Sequence, residues 1–317
     1  MSLGWKVFLL PFRPKSQEVI PMQSVTVLSQ AKLNLSLAIT GKRSDGFHSL
    51  VSVVSQVSLH DELTVNLRES GFTLACDNPE VPLNSSNLIL KAAALYNELS
   101  GYSGGAHFLL KKVIPMGAGL GGGSSNAVAA ITALGQLTGK PIDPAILLNR
   151  VAELGSDCPL FLSRNLNVMR GRGELITALP KDVQARFKKR QVVIFKPDFG
   201  ISTAWAYKRM AELNNAYTPS EQAEKHLDLC LNNLSAPIED LLFNGMQAPA
   251  FLKFPSLAIM AEHLKKTFEL KVLMSGSGSA CFAILPLKNC PTKEELTRVI
   301  QEVLGDTAFV CIAELVC

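Results

Sequence analysis

Little in this sequence points to a metal centre, a membrane or a nucleic acid. The seven cysteines (Cys76, Cys158, Cys230, Cys281, Cys290, Cys311 and Cys317) contain no C-x-x-C pair. An odd, unpatterned set is expected of reduced thiols in a cytosol, so a cytoplasmic location follows. His48, His60, His107, His226 and His263 show no metal-ligand spacing. No apolar run approaches the ~20 residues that span a bilayer. Charge is sparse, at 18% of residues, with a net +4. That is too small to argue for nucleic acid, and it suits an anionic small molecule. What remains is a globular composition, 47% apolar over 317 residues, long enough for two domains each with its own core.

The chain is organised around Pro115–Asn126, in which five of twelve residues are glycine. Ala106–Ile114 before it reads as a strand. Ala127–Leu137 after it is alanine-rich with Val128, Ile131 and Leu134 three apart, and reads as a helix. Strand, glycine loop and helix start together make an anion site. Glycine permits positive φ and close backbone approach, and free N–H groups at the positive end of the helix dipole face the ligand. Ser124 and Ser125 are expected N-caps whose hydroxyls reach a phosphate or its metal. No Gly-Lys-Ser/Thr follows, which excludes a Walker A loop. Gly117-Ala-Gly119-Leu-Gly121-Gly122 satisfies G-x-G-x-x-G, but the second strand and terminal acid of a dinucleotide fold are missing.

Val25–Thr40 alternates, with Leu33, Leu35, Leu37 and Ile39 on one face and Lys32, Asn34 and Ser36 on the other, as in a half-buried strand. On its own the polar face reads first as solvated surface. Gly41–His48 follows, with an Asp45-Gly46 turn. Phe47 beside His48 offers a face to stack on a base and an imidazole for its edge, or simply a core aromatic and a surface histidine. Leu50–Leu59, Glu62–Leu67 and Phe72–Ala75 read as further strands, and Leu88–Leu99 as a helix. Pro144–Leu154 is a second amphipathic helix, closed by Gly155 as its C′ residue. In Ser156-Asp157-Cys158-Pro159, Ser156 or Asp157 is an expected N-cap with proline in the first turn. Asn167–Arg170 and Glu174–Ala178 flank a Gly171-Arg172-Gly173 turn.

Beyond Pro180 the polar, basic Lys181–Arg190 marks a domain boundary, giving 22–180 and 181–317. The second half alternates strands (191–196, 271–274, 281–285, 308–315) with helices (202–213, 258–268, 294–304), as in a split βαβ sandwich. A polar excursion occupies 214–234. Ser275–Ser279 is a second glycine loop, suited to lying near a phosphate. Residues 1–21 stand apart. Trp5 and Val7–Leu10 form an apolar patch short for a signal peptide, with no small-residue cleavage site after it. They read as an extension, expression-derived or preceding a start at Met22.

Three separated pieces agree on a family. Lys32 with Leu33-Asn34-Leu35 resembles the first motif of the GHMP kinases, the family of galactokinase, homoserine kinase and mevalonate kinase. Pro115–Asn126 resembles their phosphate loop, and Lys271–Ala283 their third motif. Ala31–Leu35, Gly41–His48 and Gly155–Phe161 resemble most the branch acting on a cytidine-diphosphate sugar alcohol. Gln30 replaces a common proline and Phe47 a common tyrosine, and Ser156 and Cys158 replace residues often seen as alanine and valine.

The resemblance implies an α+β fold of two domains: an N-terminal ribosomal-protein-S5-like ATP-binding domain and a C-terminal ferredoxin-like split βαβ domain. It implies ATP with Mg²⁺, and phosphorylation of the hindered 2-hydroxyl of cytidine-diphosphate methylerythritol. Asp157 would take or orient the hydroxyl proton. Lys32 would keep that carboxylate ionised and stabilise the transferring charge. Pro115, Met116, Gly117, Ala118, Gly119, Leu120, Gly121, Gly122, Gly123, Ser124 and Ser125 would cradle ATP. Asn34, Phe47, His48, Ser277 and Gly278 would bind the substrate. Without a carboxylate cluster, Mg²⁺ is expected on phosphate and water, with Ser125 as the candidate protein hydroxyl. No nucleic acid or membrane partner is expected, and the chain would be a monomer or homodimer. A mevalonate- or homoserine-type kinase remains open, as does a GHMP-fold regulatory module without catalysis; neither of those alcohols carries a base for Phe47 and His48.

Overall fold

The computed structural model describes residues 24–212 and 217–317. The 1–21 extension and the first residues of the 214–234 excursion lie outside the described residues. In chain order the strands and helices begin with β1 (Ser24–Lys42), β2 (His48–Arg68), β3 (Phe72–Cys76), α1 (Leu88–Ser100), β4 (Gly105–Lys111), α2 (Gly122–Thr138) and α3 (Pro144–Val151). Next come β5 (Asn167–Arg170), β6 (Leu175–Ala178), α4 (Lys181–Ala185), β7 (Gln191–Lys196), α5 (Thr203–Glu212) and α6 (Ser220–Asn232). The chain ends with β8 (Phe243–Asn244), α7 (Gln247–Lys253), α8 (Pro255–Phe268), β9 (Val272–Met274), β10 (Cys281–Ile284), α9 (Lys293–Leu304) and β11 (Phe309–Val316).

A sheet path runs β3-β4-β2-β11-β7-β10-β9. The last strand joins the two halves. Phe309–Glu314 pairs antiparallel with β7, while Leu315 and Val316 pair with Val57 and Gln56 of β2. Apolar alternation builds the cores on either side. α1 and α2 cover β4 and β2 around the buried Tyr96, Phe108 and Leu134. Full burial of such side chains stabilises by roughly 1.5–3 kcal/mol each. Ala127, Ala130 and Ala133 are fully buried, and their small size brings α2 close to the sheet.

Several expectations need correction. The runs 50–59 and 62–67 are one strand, β2, carrying an irregularity where Gln30 faces His60 but Ala31 faces Val57. No glycine or proline breaks the chain there, so the extra residues form a bulge instead of a turn. β1 is not half-buried at its centre: Lys32, Asn34 and Ser36 are buried along with Leu33 and Leu35. Helix α2 starts at Gly122 with Gly121 as its N-cap at φ 70°, so Ser124 and Ser125 sit inside its first turns. α3 stops at Val151 with Ala152 as its C-cap. Gly155 is no helix cap; a Cβ there would lie 3.4 Å from the Ser124 hydroxyl and 3.5 Å from the Cys158 sulfur, so glycine permits close packing on α2.

Candidate active site

β1 and the glycine loop form one hydrogen-bonded unit. The Lys32 N–H donates to the Leu120 carbonyl at 2.9 Å. The Lys32 side chain then runs past Gly121, where a Cβ would lie 2.9 Å from its Cγ. Its ammonium donates to the Asn34 amide oxygen and lies 3.6 Å from the Asp157 carboxylate. Asn34 donates in turn to the Ser52 hydroxyl at 2.9 Å, which fixes the amide's orientation. The Lys32 side chain is 6% exposed and that of Asp157 37%. The cation is therefore held in the wall while the carboxylate edge faces the opening.

Asp157 stands at the N-cap position of a 3₁₀ turn, Cys158–Leu162, but its side chain makes no capping hydrogen bond. That corrects the expected cap and leaves the carboxylate to Lys32. Beside it, burial pushes the Cys158 thiol up to about 11, so it stays protonated and inert.

The second glycine loop docks on the first. The Ala280 N–H donates to the Ala118 carbonyl at 3.1 Å, and the Ser275 hydroxyl donates to the Gly119 carbonyl at 3.1 Å. Gly119, at φ 74°, has room for no side chain, since a Cβ would lie 2.2 Å from the Ser275 carbonyl. Buried Asn244 holds the second loop from β8, donating to the Met274 and Gly276 carbonyls at 2.7 and 2.8 Å.

These elements enclose a cleft of about 1020 Å³. Lys32, Asn34, Phe47, His48, Gly119, Gly121, Ser124, Asp157 and Ser277 all line it. Ala118 and Leu120 are buried and contribute the carbonyls that dock the neighbouring elements. Pro115 is half-buried, Met116 is exposed, Gly117 is left-handed at φ 60°, and Gly122 and Gly123 open α2. Of the expected residues, Pro115, Met116, Gly117, Ala118, Leu120, Gly122, Gly123, Ser125 and Gly278 do not line it, and contacts explain two of these. Ser125 is buried and its oxygen accepts from Ser29 at 2.8 Å, so Ser124 supplies the hydroxyl at the cleft. Gly278 packs against Met274 and Ile201, while Gly276 takes the cleft position, where a Cβ would lie 3.3 Å from both the Lys32 ammonium and the Asn34 oxygen.

His48 is not a free surface side chain. It stacks on Tyr207 of α5, ring centroids 4.7 Å apart at 26°, and its Nε2 is buried without a hydrogen-bond partner. Burial, and next the charge of Lys42, hold its pKa below the ordinary histidine value. Phe47 is 48% exposed with the Arg172 guanidinium 5.0 Å from its ring centre. Burial and then the charge of Asp157 push the Tyr207 phenol up to about 12, so it remains a donor. Tyr207, Lys42, Arg172 and Lys208 line the cleft and were not singled out from sequence. Arg172 had a signal in its Gly-Arg-Gly turn, whereas Tyr207 sits in an ordinary amphipathic helix without a motif.

The arrangement can hold an anion at the glycine loop, and α2 begins with no side-chain cap on its N–H groups, as phosphate binding requires. It can place a hydroxyl at Asp157, and a flat ring at the aromatic end. Among the described residues no group of three His, Cys, Asp or Glu stands ready for a metal, and no helix is long and apolar enough to cross a membrane.

Comparison with known proteins shows the fold and the family. Residues 87–164 match the GHMP kinases N terminal domain. The chain is 36% identical over 263 residues to 4-diphosphocytidyl-2-C-methyl-D-erythritol kinase of Protochlamydia amoebophila, covering 83% of this chain and 85% of that one. It is similar to a crystal structure of 4-(cytidine 5'-diphospho)-2C-methyl-D-erythritol kinase, with a TM-score of 0.72, 31% identity, and coverage of 92% and 99%. Homoserine kinase from Cytophaga hutchinsonii shares the fold, with a TM-score of 0.70 at 16% identity and 98% coverage of both chains.

Proposed function

The chain belongs to the 4-diphosphocytidyl-2-C-methyl-D-erythritol kinase family of GHMP kinases, and from that premise we propose that it transfers the γ-phosphoryl group of ATP to the 2-hydroxyl of 4-diphosphocytidyl-2-C-methyl-D-erythritol, a step toward isoprenoid precursors. One observation carries the reading. The Lys32–Asp157 pair lies in the wall of a single cleft with the glycine loop at one side and Phe47, His48 and Tyr207 at another.

Phosphoryl transfer asks a protein mainly for positioning and charge stabilisation. Gly119, Gly121 and the uncapped start of α2 receive the ATP phosphates. Mg²⁺ neutralises phosphate charge when bound; it would be held by those phosphates and water, with Ser124 as the hydroxyl at hand. Asp157 orients the acceptor hydroxyl and takes its proton. Lys32, fixed by Asn34 and the Leu120 carbonyl, offers its ammonium to the attacking oxygen and the moving phosphoryl group. Because the hydroxyl is tertiary, orientation contributes more than nucleophile strength.

The cytosine end rests on Phe47, His48 and Tyr207. The unpartnered His48 Nε2 suits an edge hydrogen bond, and the two aromatic rings supply stacking faces. Ser277, tied to Thr203 at 2.9 Å, borders the sugar-alcohol region. The strand order β11-β7-β10-β9 supports reading the second half, 181–317, as a ferredoxin-like split βαβ domain beside an S5-like domain at 22–180.

The experiment is ADP release from Mg-ATP against cytidine-diphosphate methylerythritol, methylerythritol 4-phosphate, mevalonate, homoserine and galactose. Activity confined to the cytidine compound supports the reading. Activity on another alcohol keeps the kinase and removes the cytosine pocket. ATP binding without turnover on any of them points to a regulatory module.

A further inference from the structure

The mechanism leaves one fully buried carboxylate unused. Asp61, in β2 just past its irregularity, has no exposed surface. Its Oδ1 accepts the backbone N–H groups of Val113 and Ile114, both at 2.7 Å. Its Oδ2 accepts the Asn126 amide at 2.9 Å and lies 2.9 Å from the Lys112 ammonium. Every one of these partners borders the glycine loop. Lys112–Ile114 leads into Pro115, and Asn126 follows Ser125. Ser29, which faces Asp61 across the β1–β2 pair, completes the tie. It accepts from Asn126 and donates to Ser125, each at 2.8 Å.

A carboxylate–ammonium pair buried this deeply is a poor source of stability, because desolvation offsets most of the Coulombic gain. An apolar pair of the same volume would serve the core as well. What an apolar pair would not do is fix two backbone N–H groups on one flank of the loop and a side-chain amide on the other. The Lys112 ammonium also stands close to the start of α2, where a Cβ on Gly122 would lie 3.2 Å from it. That cation opposes the positive end of the helix dipole, and Asp61 neutralises it beside the place where phosphate must bind.

The geometry points to Asp61 as a positioning residue for ATP. It clamps both flanks of 115–125 so that the loop's N–H groups are aimed before the nucleotide arrives. The inference rests on the reading of that loop as the ATP phosphate site.

The test compares Asp61→Asn with the exchanged pair Asp61→Asn/Asn126→Asp, which returns a carboxylate–amide contact with the roles reversed. Steady-state kinetics are run for both substrates, and amide hydrogen exchange is followed over 113–126 without nucleotide. In Asp61→Asn the KM for ATP is expected to rise by about tenfold to 10²-fold, the size of effect a displaced loop produces. The KM for the acceptor should stay within about twofold, and exchange should quicken across the loop. The exchanged pair should recover a good part of both changes. If the single variant fails to fold, the exchanged pair and Asn126→Ala, which removes one contact only, are read on the same scale. Unchanged exchange and unchanged KM for ATP in folded variants would overturn the inference. Faster exchange with no change toward ATP would leave the clamp standing and overturn the assignment of the loop to ATP.

Discussion

The backbone N–H of Lys32 donates to the carbonyl of Leu120 at 2.9 Å. The strand that carries the ammonium is thereby fastened to the glycine loop. Leu120 is buried and its side chain plays no part in the cleft; its peptide unit sets the spacing. The same strand supplies Asn34, which steers the Lys32 side chain toward Asp157. Glycine loop, cation and carboxylate are therefore one assembly, and moving any of them by an ångström disturbs the rest.

Asp157→Asn is expected to fold and bind ATP while ADP release falls by about 10²–10⁴-fold or more. The Asp157 side chain is 37% exposed, so its loss should cost no more than about 1 kcal/mol. Thermal denaturation checks that the fold persists, and nucleotide titration checks ATP. Turnover close to wild type would remove Asp157 from the mechanism. Lys32→Met should lose a comparable factor, its stem still filling the space beside Gly121.

Gly121→Ala tests the packing of loop against cation. The residue sits at φ 70°, and a Cβ would lie 2.9 Å from Lys32 Cγ and 3.0 Å from Phe161 Cζ. The left-handed backbone alone costs roughly 1–2 kcal/mol, and the contacts displace the ammonium. Gly139→Ala is the control, with φ 66° and nothing within 4 Å of its Cβ. Both variants should lower the melting temperature, but only Gly121→Ala should reduce kcat, by about 10²-fold. Equal kcat in the two would detach the loop's packing from catalysis.

The pH dependence follows from His48. Its folded pKa lies below the ordinary histidine value of 6.5, through burial first and the Lys42 charge second. Between 6.5 and the folded pKa the unfolded chain binds the extra proton and the native protein does not. The neutral ring's contribution to stability is thus complete above 6.5 and is lost as pH falls through the folded value. Denaturant titrations from pH 7.5 to 5 should show stability declining, with a smaller decline in His48→Phe. Nuclear magnetic resonance titration of the His48 ring should place its midpoint below 6.5, and Lys42→Met should move it upward. A midpoint at or above 6.5 would contradict the buried, unpartnered imidazole.

Elements with strong local signals were legible in the sequence. The glycine loop, α1, β7 and α9 fall close to where periodicity put them. Lys32 and Asp157 meet although 125 positions separate them, and what joined them beforehand was the family resemblance, since nothing local in either segment specifies the pairing. Asp61 is not legible as a core residue because a charged residue between two apolar runs reads as a turn. Only the tertiary contacts from 112–114 and Asn126 make it a core residue. Ser125 sits away from the cleft for a related reason: a motif specifies which residues approach a ligand, but the helix start at Gly122 decides which hydroxyl points there.

Tyr207 offers the clearest division between stacking and catalysis. Its ring centroid lies 4.7 Å from that of His48, while its phenol, pushed up to about 12 by burial and then by the Asp157 charge, stays protonated. Tyr207→Phe keeps the ring, so the KM for the cytidine substrate should change little; any loss should appear in kcat. Tyr207→Ala removes the stacking face, worth about 1–3 kcal/mol per base, and the acceptor KM should rise about fivefold to 150-fold. It also uncovers His48, so the imidazole titration should move back toward 6.5 in the same variant. The KM for ATP should not move in either, if the nucleotide takes the glycine loop as proposed, since Tyr207 stands on α5. If Tyr207→Ala instead raised the KM for ATP and spared the acceptor, the two ends of the cleft would have to be exchanged.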